Sequence, residues 1–275
     1  MKEHIVTKDY FKSKEVFKLL KNNDLDMLCT NPVPDNLSTY YDSEDYISHT
    51  DKKQGLFSWL YQKVKEFSIN RKVSLINRFK SANNRILDIG AGTGDFLLKA
   101  KNSGWQIKGV EPNATALKHA ANKGLELECS LENVSNEYFD VVTLWHVLEH
   151  LPNLEAQIDG LSKLVNPGGG LVIAVPNYNS YDAKYYKEYW AAYDTPRHLW
   201  HFSKSSIKKL FEPKGFEVVE IKPMYFDSFY VSMLSEKYKG NRFIWLRGGI
   251  IGLLSNIKAL FSGEYSSLIY VLRKK

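Results

Sequence analysis

Ile86-Leu-Asp-Ile-Gly-Ala-Gly-Thr-Gly-Asp-Phe96 carries a short apolar run straight into a glycine-rich turn and then into a segment of helical period. Glycines at a strand end let the chain turn sharply and let a ligand lie against the backbone with no Cβ in the way. The spacing is GxGxG, with Asp95 where the GxGxxG dinucleotide fingerprint has its third glycine. A pyrophosphate favours a helix start free of negative charge. Asp88 and Asp95 instead put carboxylates around the turn, which suits a cationic, nucleoside-like ligand better than a phosphate. Taken alone, the motif equally describes a plain structural turn. About twenty residues further on, Val110-Glu111-Pro112 closes a second apolar run, and a carboxylate at that distance meets the hydroxyls of a ribose.

Working outward, apolar runs at Arg85 to Ile89, Gln106 to Glu111, Leu125 to Cys129, Phe139 to Trp145, Gly170 to Val175, Phe216 to Lys222 and Ser267 to Leu272 read as strands. Helical segments at 95–102, 114–123 and 154–165 lie between them, the second stopped by Gly124 and the third by Asn166-Pro-Gly-Gly-Gly170. This alternation predicts an α/β fold, a doubly wound, seven-stranded, mostly parallel sheet of Rossmann-like type covered on both faces. Residues 1–55 read as irregular, and Leu56, Leu60, Val64 and Phe67 recur at helical spacing. The expected organisation is therefore an N-terminal helical or lid extension over 1–82 and a core domain over 83–275. Two insertions interrupt the core, an aromatic one at 177–203 and a helical one at 224–265.

Composition restricts the function classes. The 275 residues carry a net charge of +6, and the lysines are dispersed along the chain, so no basic block calls for a nucleic-acid partner. Cys29 and Cys129 have neither metal-ligand nor disulfide spacing and suit a reducing compartment. The N-terminus lacks the apolar core and cleavage site of a signal peptide, which makes cytoplasmic residence the expectation. The apolar stretch Phe243 to Phe261 is broken by Arg247, Lys258 and three glycines and falls short of a spanning helix.

In order along the chain, Asp88 to Gly94, Val110-Glu-Pro112, Phe139-Asp-Val-Val-Thr-Leu-Trp-His-Val-Leu-Glu-His-Leu-Pro152 and Val165-Asn-Pro-Gly-Gly-Gly-Leu-Val-Ile173 resemble the successive motifs of the class I S-adenosylmethionine-dependent methyltransferases. The resemblance covers roughly residues 84–222 and a last strand near 267–272. It implies S-adenosylmethionine as cofactor and S-adenosylhomocysteine as product. It further implies that Asp88, Gly90, Ala91, Gly92 and Gly94 hold the methionine end and support the adenosine, and that Glu111, followed by Pro112, accepts the ribose hydroxyls. Leu131 or Glu132 stands at the adenine position, and Trp145 and His146 line the sulfonium pocket. For Trp145 and His146 an ordinary packing role under the sheet edge is the competing reading.

Methyl transfer is an in-line displacement for which the cofactor brings the activated group, so the protein must align the acceptor and remove a proton from a hydroxyl. Histidine is the best base near neutral pH. His150 lies four residues beyond His146, on one face if that turn is helical. His198 and His201 occur in Asp194-Thr-Pro-Arg-His-Leu-Trp-His-Phe202, which resembles a Pro-Arg-His stretch of a bacterial subgroup related to ubiquinone-pathway O-methyltransferases. His198 or His150 is the expected base, His201 a third candidate, and each has a loop-bridging role as its alternative. No acidic cluster suggests a metal, and a metal-free mechanism is expected. The aromatic insertion, including Tyr193 and Arg197, is expected to face a planar small-molecule acceptor or to close as a lid, with Tyr41, Tyr46 and His49 on the other side.

Three other readings stand beside this one. The stretch Ile244 to Phe261 suits an acceptor that is a lipid or lies at a membrane, with peripheral contact through 244–261, or else packs on the core or a second copy. A non-catalytic cofactor-binding protein of the same fold is the second. Nucleic-acid methylation is the weakest, since Trp145-His146-Val147-Leu148 replaces the Asn/Asp-Pro-Pro-aromatic motif.

Overall fold

The computed structural model describes residues 1–41, 56–134 and 137–275. In chain order the strands are Lys2–Lys8 (β1), Val16–Asn22 (β2), Met27–Asn31 (β3), Arg85–Ile89 (β4), Gln106–Val110 (β5), Phe139–Trp145 (β6), Val165–Pro176 (β7), Trp200–His201 (β8), Phe216–Pro223 (β9) and Ser267–Lys274 (β10). The α-helices are Leu56–Ile76 (α1), Asp95–Asn102 (α2), Ala114–Ala121 (α3), Leu154–Leu164 (α4), Tyr181–Tyr186 (α5), Lys204–Phe211 (α6), Asp227–Tyr238 (α7) and Ile244–Ser262 (α8).

The central sheet runs β5-β4-β6-β7-β10-β9. Strands β5, β4, β6 and β7 are parallel, and β10 lies antiparallel between β7 and β9. Successive side chains of the central strands point to opposite faces, and both faces are dry. Leu87, Ile89, Val142, Leu144, Leu171 and Ile173 pack with α4 and α6 in one core, whereas Ile86, Val141, Val172 and Val271 pack with α1 and α2 in the other. This accounts for the near-continuous apolar composition of β4 and β6.

The sheet has six strands, not the expected seven. Leu125 to Cys129 forms only an isolated bridge from Glu128 to Val110, held by the amide of Glu111 to Glu128 O at 2.8 Å and the amide of Glu128 to Gly109 O at 2.9 Å. Leu125 is buried and Leu127 packs partly against the core, but Glu126 and Cys129 are exposed at the sheet margin, and so short an apolar set anchors too little area to extend the ladder.

The N-terminal region departs further from expectation. It is not irregular or helical over residues 1–31 but forms a second, antiparallel sheet of order β1-β2-β3-β8. Phe17 and Leu19 are buried while Val16 and Lys18 are exposed. That period-two alternation, followed by the turn at residues 23–26, was the available hairpin signal. The fourth strand comes from the 177–203 insertion, where Trp200 and His201 pair with Cys29 and Leu28. A separate core joins Leu19 and Leu28 to Tyr178, Tyr186, Trp190 and Tyr193 of that insertion and to Val231 of α7 and Ile251 of α8. The N-terminal strands and both insertions thus build one layer beyond the carboxyl ends of β6 and β7.

Candidate active site

At the end of β4 the amides of Gly90 and Ala91 both donate to Val110 O, at 2.8 and 3.0 Å, fastening the glycine turn to the end of β5. Gly90, Gly92 and Gly94 all have positive φ. For Gly90 and Gly94 packing adds a second reason, because a Cβ would lie 2.4 Å from Val147 Cγ2 or Leu125 Cδ1. Among the described residues, a Cβ on Gly92 would meet nothing within 4 Å, so there this residue borders open space where a ligand can approach the backbone. Glu111 is nearly buried and reaches back to the same turn. Its Oε2 accepts from the Gly92 amide at 2.8 Å and its Oε1 from the Asn113 amide at 2.9 Å. A carboxylate has about four lone-pair sites, so each oxygen keeps capacity for a hydroxyl.

Beneath the turn, buried Asp88 accepts from Thr143 Oγ1 at 2.5 Å. Burial pushes its carboxyl up to about 7, against the opposing pull of the Thr143 hydrogen bond and the Lys72 charge. Desolvation lowers the pKa of Lys72, opposed by Asp88 and Asp227, and its ammonium lies 4.3 Å from the Trp145 ring centroid.

The segment after β6 forms a 3-10 turn at Leu148–His150 and not an α-helix, so His146 and His150 do not share a helical face as the four-residue spacing suggested. His146 sits at φ 58° and turns to α7, with Nε2 3.1 Å from Asp227 and Nδ1 3.4 Å from Glu149. Desolvation would lower its pKa, but those two carboxylates outweigh it and push the imidazole up to about 10, so it is an imidazolium at neutral pH. His150 turns to the insertion, its ring centroid 4.5 Å from that of His198. Its Nδ1 lies 3.0 Å from Arg197 O and 2.9 Å from Tyr41 Oη. His198 Nδ1 lies 2.9 Å from Ala192 O. A carbonyl can only accept, so both Nδ1 atoms carry a proton and the neutral form of each ring has Nε2 as its acceptor; that of His198 lies 4.0 Å from Asp194 Oδ2. Burial, then the neighbouring His198, pushes His150 down to about 4.

Glu149 lies between these rings, fully buried, its Oε1 ion-paired with His146 at 3.4 Å and neither oxygen within hydrogen-bonding geometry of another described residue. Burial would raise its pKa, yet His146, His198 and His150 together hold it below the usual value. One ligand atom from each of Glu149, His150 and His198 falls within 4.8 Å of the others, a donor set of the kind that could hold a metal ion. The expectation of no metal-ligating cluster therefore does not describe this trio, because its members come from two distant segments. The amide of Leu199 donates to Glu149 O at 2.8 Å and holds those segments together.

The remaining expected residues divide sharply. Tyr41 is in the site, on His150. Leu131 and Glu132 begin a 3-10 turn at Leu131–Val134, with Leu131 against the core and Glu132 exposed. Pro112 is exposed beside Glu111. Tyr46 and His49 lie outside the described residues. Arg197 does not face an acceptor: it is 1% exposed, paired with Asp9 at 2.9 Å and Asp194 at 2.6 Å. Burial opposes its charge, but these two carboxylates hold its pKa above the ordinary value. Tyr193 is likewise not part of a lid, since it packs edge-on between Trp190 and His201 in the second core. His201 is spent on structure, 4% exposed, its Nε2 3.1 Å from Thr30 Oγ1 and its pKa driven well down by burial. The aromatic insertion is mostly core because the N-terminal sheet covers it. Lys72, Glu149 and Asp227 escaped the sequence reading. The charge of Lys72 gave no signal, because Lys63, Lys65, Glu66 and Arg71 lie in the same helix.

Residues 60–221 match the family described as methyltransferase domain, which is more than half of the chain. The chain belongs to the class I S-adenosylmethionine-dependent methyltransferases. Within them, a ubiquinone biosynthesis O-methyltransferase of Yersinia pestis (strain Pestoides F) is 32% identical over 106 residues, 35% of this chain and 44% of that protein. This methyltransferase thus spans less than half the length of the curated relatives it matches. In fold it is similar to an S-adenosylmethionine-dependent methyltransferase from Archaeoglobus fulgidus, with TM-score 0.53, 22% identity, and 80% of this chain and all of that one covered. A cyclopropane synthase from Mycobacterium tuberculosis is similar in fold as well, with TM-score 0.55, 12% identity, and 89% and 100% covered.

Proposed function

We propose that this methyltransferase moves the methyl group of S-adenosylmethionine to a hydroxyl of a small-molecule acceptor, with His198 as the base and His150 as the second candidate. The observation that carries the reading is the union of an open Gly92 backbone with Glu111, whose two oxygens retain lone pairs beside it. These features fit a nucleoside sulfonium compound, which would supply an activated methyl on a cationic sulfur. Glu111 would accept from both ribose hydroxyls, and Asp88 with the turn Gly90-Ala91-Gly92 would hold the methionine end. Leu131 or Glu132 would border the adenine. Trp145 and His146 would wall the sulfonium, His146 fixed by Asp227 and Glu149 and already protonated, hence no base.

His198 keeps an acceptor Nε2 and has the Glu149 carboxylate close by to stabilise the imidazolium that forms when it takes the hydroxyl proton. His150 holds a proton poorly and is better suited to shaping the pocket with Tyr41. Oxygen as the methylated atom is favoured by the name of the Yersinia relative. The two free cysteines agree with a cytoplasmic setting.

A second reading is favoured by the convergence of three possible ligand atoms within 4.8 Å: Glu149, His150 and His198 would ligate a transition metal that orients the acceptor, two imidazoles and a carboxylate being a set such ions accept. Titration with S-adenosylhomocysteine tests the cofactor site, with Glu111→Gln expected to weaken it at least tenfold. His198→Ala is expected to lower kcat about a hundredfold or more at nearly unchanged cofactor affinity. Equal loss of both would make His198 a residue that holds the fold. Turnover that survives a chelator supports the base, and turnover lost to the chelator and restored by zinc transfers the trio to metal binding.

A further inference from the structure

Helix α8 is built inside out. Its inward side chains are small, Gly248, Gly252, Ser255 and Ala259 together with Ile251, whereas Leu246, Ile250, Leu253, Ile257, Leu260 and Phe261 are exposed. Leu260 is 68% exposed and Phe261 90%. Packing fixes this orientation. A Cβ on Gly248 would fall 2.6 Å from the Met233 backbone of α7, and one on Gly252 2.8 Å from the Phe229 backbone. Only the glycine face allows the two helices to approach so closely, and turning a leucine inward would force them apart. Ser255 locks the same rotation by donating to buried Asp182 at 2.7 Å.

The charge around this face is one-sided. From Lys237 to Gly263 the chain has five cations, Lys237, Lys239, Arg242, Arg247 and Lys258, and no aspartate or glutamate. Trp245, 65% exposed, stands at the edge of the apolar strip. A second copy docked about a two-fold axis would set these cations against their equivalents with no acid to answer them. An anionic lipid surface answers them, since apolar side chains enter the acyl boundary while Arg and Lys reach headgroups and Trp settles at the interface. Nineteen residues and a mean hydropathy of 1.3 are sufficient on length to cross a bilayer, but crossing would require breaking the contacts of the buried face with α7 and Asp182.

We infer that α8 lies flat on an anionic membrane surface and holds the methyltransferase there. The proposal rests on the functional reading and deepens it, because the strip adjoins a cavity that shares Lys72 and Asp227 with the site. Asn256 Nδ2 donates to Tyr225 O at 2.9 Å. Tyr225 and Phe226, both about two-fifths exposed, line a cavity of about 210 Å³ together with Phe67, Arg71, Lys72 and Asp227, the last being the partner of His146. An acceptor drawn from the bilayer would enter between Tyr225 and Phe226, so its class is an amphiphile with a hydroxyl-bearing head.

The test is flotation of the full chain with vesicles of phosphatidylcholine alone and of phosphatidylcholine containing a third phosphatidylglycerol. The chain is expected to float with the anionic vesicles and to be released by high salt. The double variant Arg242→Gln/Arg247→Gln is expected to bind them about thirtyfold more weakly, from about 1 kcal/mol per cation. Leu246→Glu/Leu253→Glu, both at exposed positions, is expected to abolish flotation while melting as the parent does. Absence of flotation with either vesicle, or flotation unchanged in both variants, overturns the proposal. So does a stable dimer that Leu246→Glu/Leu253→Glu dissociates. Affinity for S-adenosylhomocysteine in solution, measured on the same preparations, separates failure of this inference from failure of the cofactor reading.

Discussion

Gly92→Ala separates the role of the glycine turn in folding from its role in binding. Its φ of 54° places an alanine in the left-handed region, at a cost of about 1–2 kcal/mol. Among the described residues nothing lies within 4 Å of the new methyl, so packing adds no further cost there. At roughly 2–4 °C per kcal/mol for a chain of this size, the melting temperature should fall by about 2–8 °C. Gly94→Ala has a similar φ, 76°, but sets its methyl 2.4 Å from Leu125 Cδ1, and overpacking adds about 1–3 kcal/mol. Binding should rank the pair in the opposite order. The Gly92 methyl fills the space through which a ligand reaches the turn and crowds the amide that orients Glu111. Losing one such hydrogen bond costs about 1–2 kcal/mol, hence a roughly five- to thirtyfold rise in the Kd for S-adenosylhomocysteine. Scanning calorimetry and isothermal titration below both transitions give the two numbers. If folded Gly92→Ala binds S-adenosylhomocysteine as tightly as the parent, the turn is structural and the cofactor assignment fails.

Asp88 makes stability depend on pH. Its folded pKa, about 7, is raised above the ordinary 3.8, so its stabilising contribution is complete below about pH 4 and is lost as pH rises through 7. Asp88→Asn should therefore gain on the parent between pH 5 and pH 8, by on the order of 2 kcal/mol in urea unfolding; a constant difference across that range would contradict the buried, protonated carboxyl. Arg197→Ala leaves Asp9 and Asp194 without their cation in the layer that joins the N-terminal strands to the insertion. A loss of about 3–5 kcal/mol is expected, seen as a melting temperature lowered by roughly 6–20 °C. A variant that melts with the parent would return Arg197 to the acceptor side of the site.

The core of the fold and half of the site were legible because their signals are local. Strand β4, its glycine turn and Glu111 lie within 27 residues, from Arg85 to Glu111, and the physics of a ligand meeting a backbone turn is written in the residues at the turn. The apolar runs of β4, β6, β7 and β10 declared a sheet buried on both faces. The marginal strand at Leu125 to Cys129 looked the same in sequence, and only its place at the sheet edge reduced it to a bridge. Tertiary structure alone decided what the histidines and aromatics do. His201, Tyr193 and Arg197 resemble His198 in composition and neighbourhood, yet the N-terminal sheet covers them and leaves His198 beside Glu149 and His150. Burial and partner choice depend on contacts between segments more than a hundred residues apart, such as Thr30 with His201 and Asp9 with Arg197. Periodicity and spacing report only what neighbours along the chain share, so they specify elements and turns, whereas the electrostatic state of a side chain is set by whatever the fold brings against it.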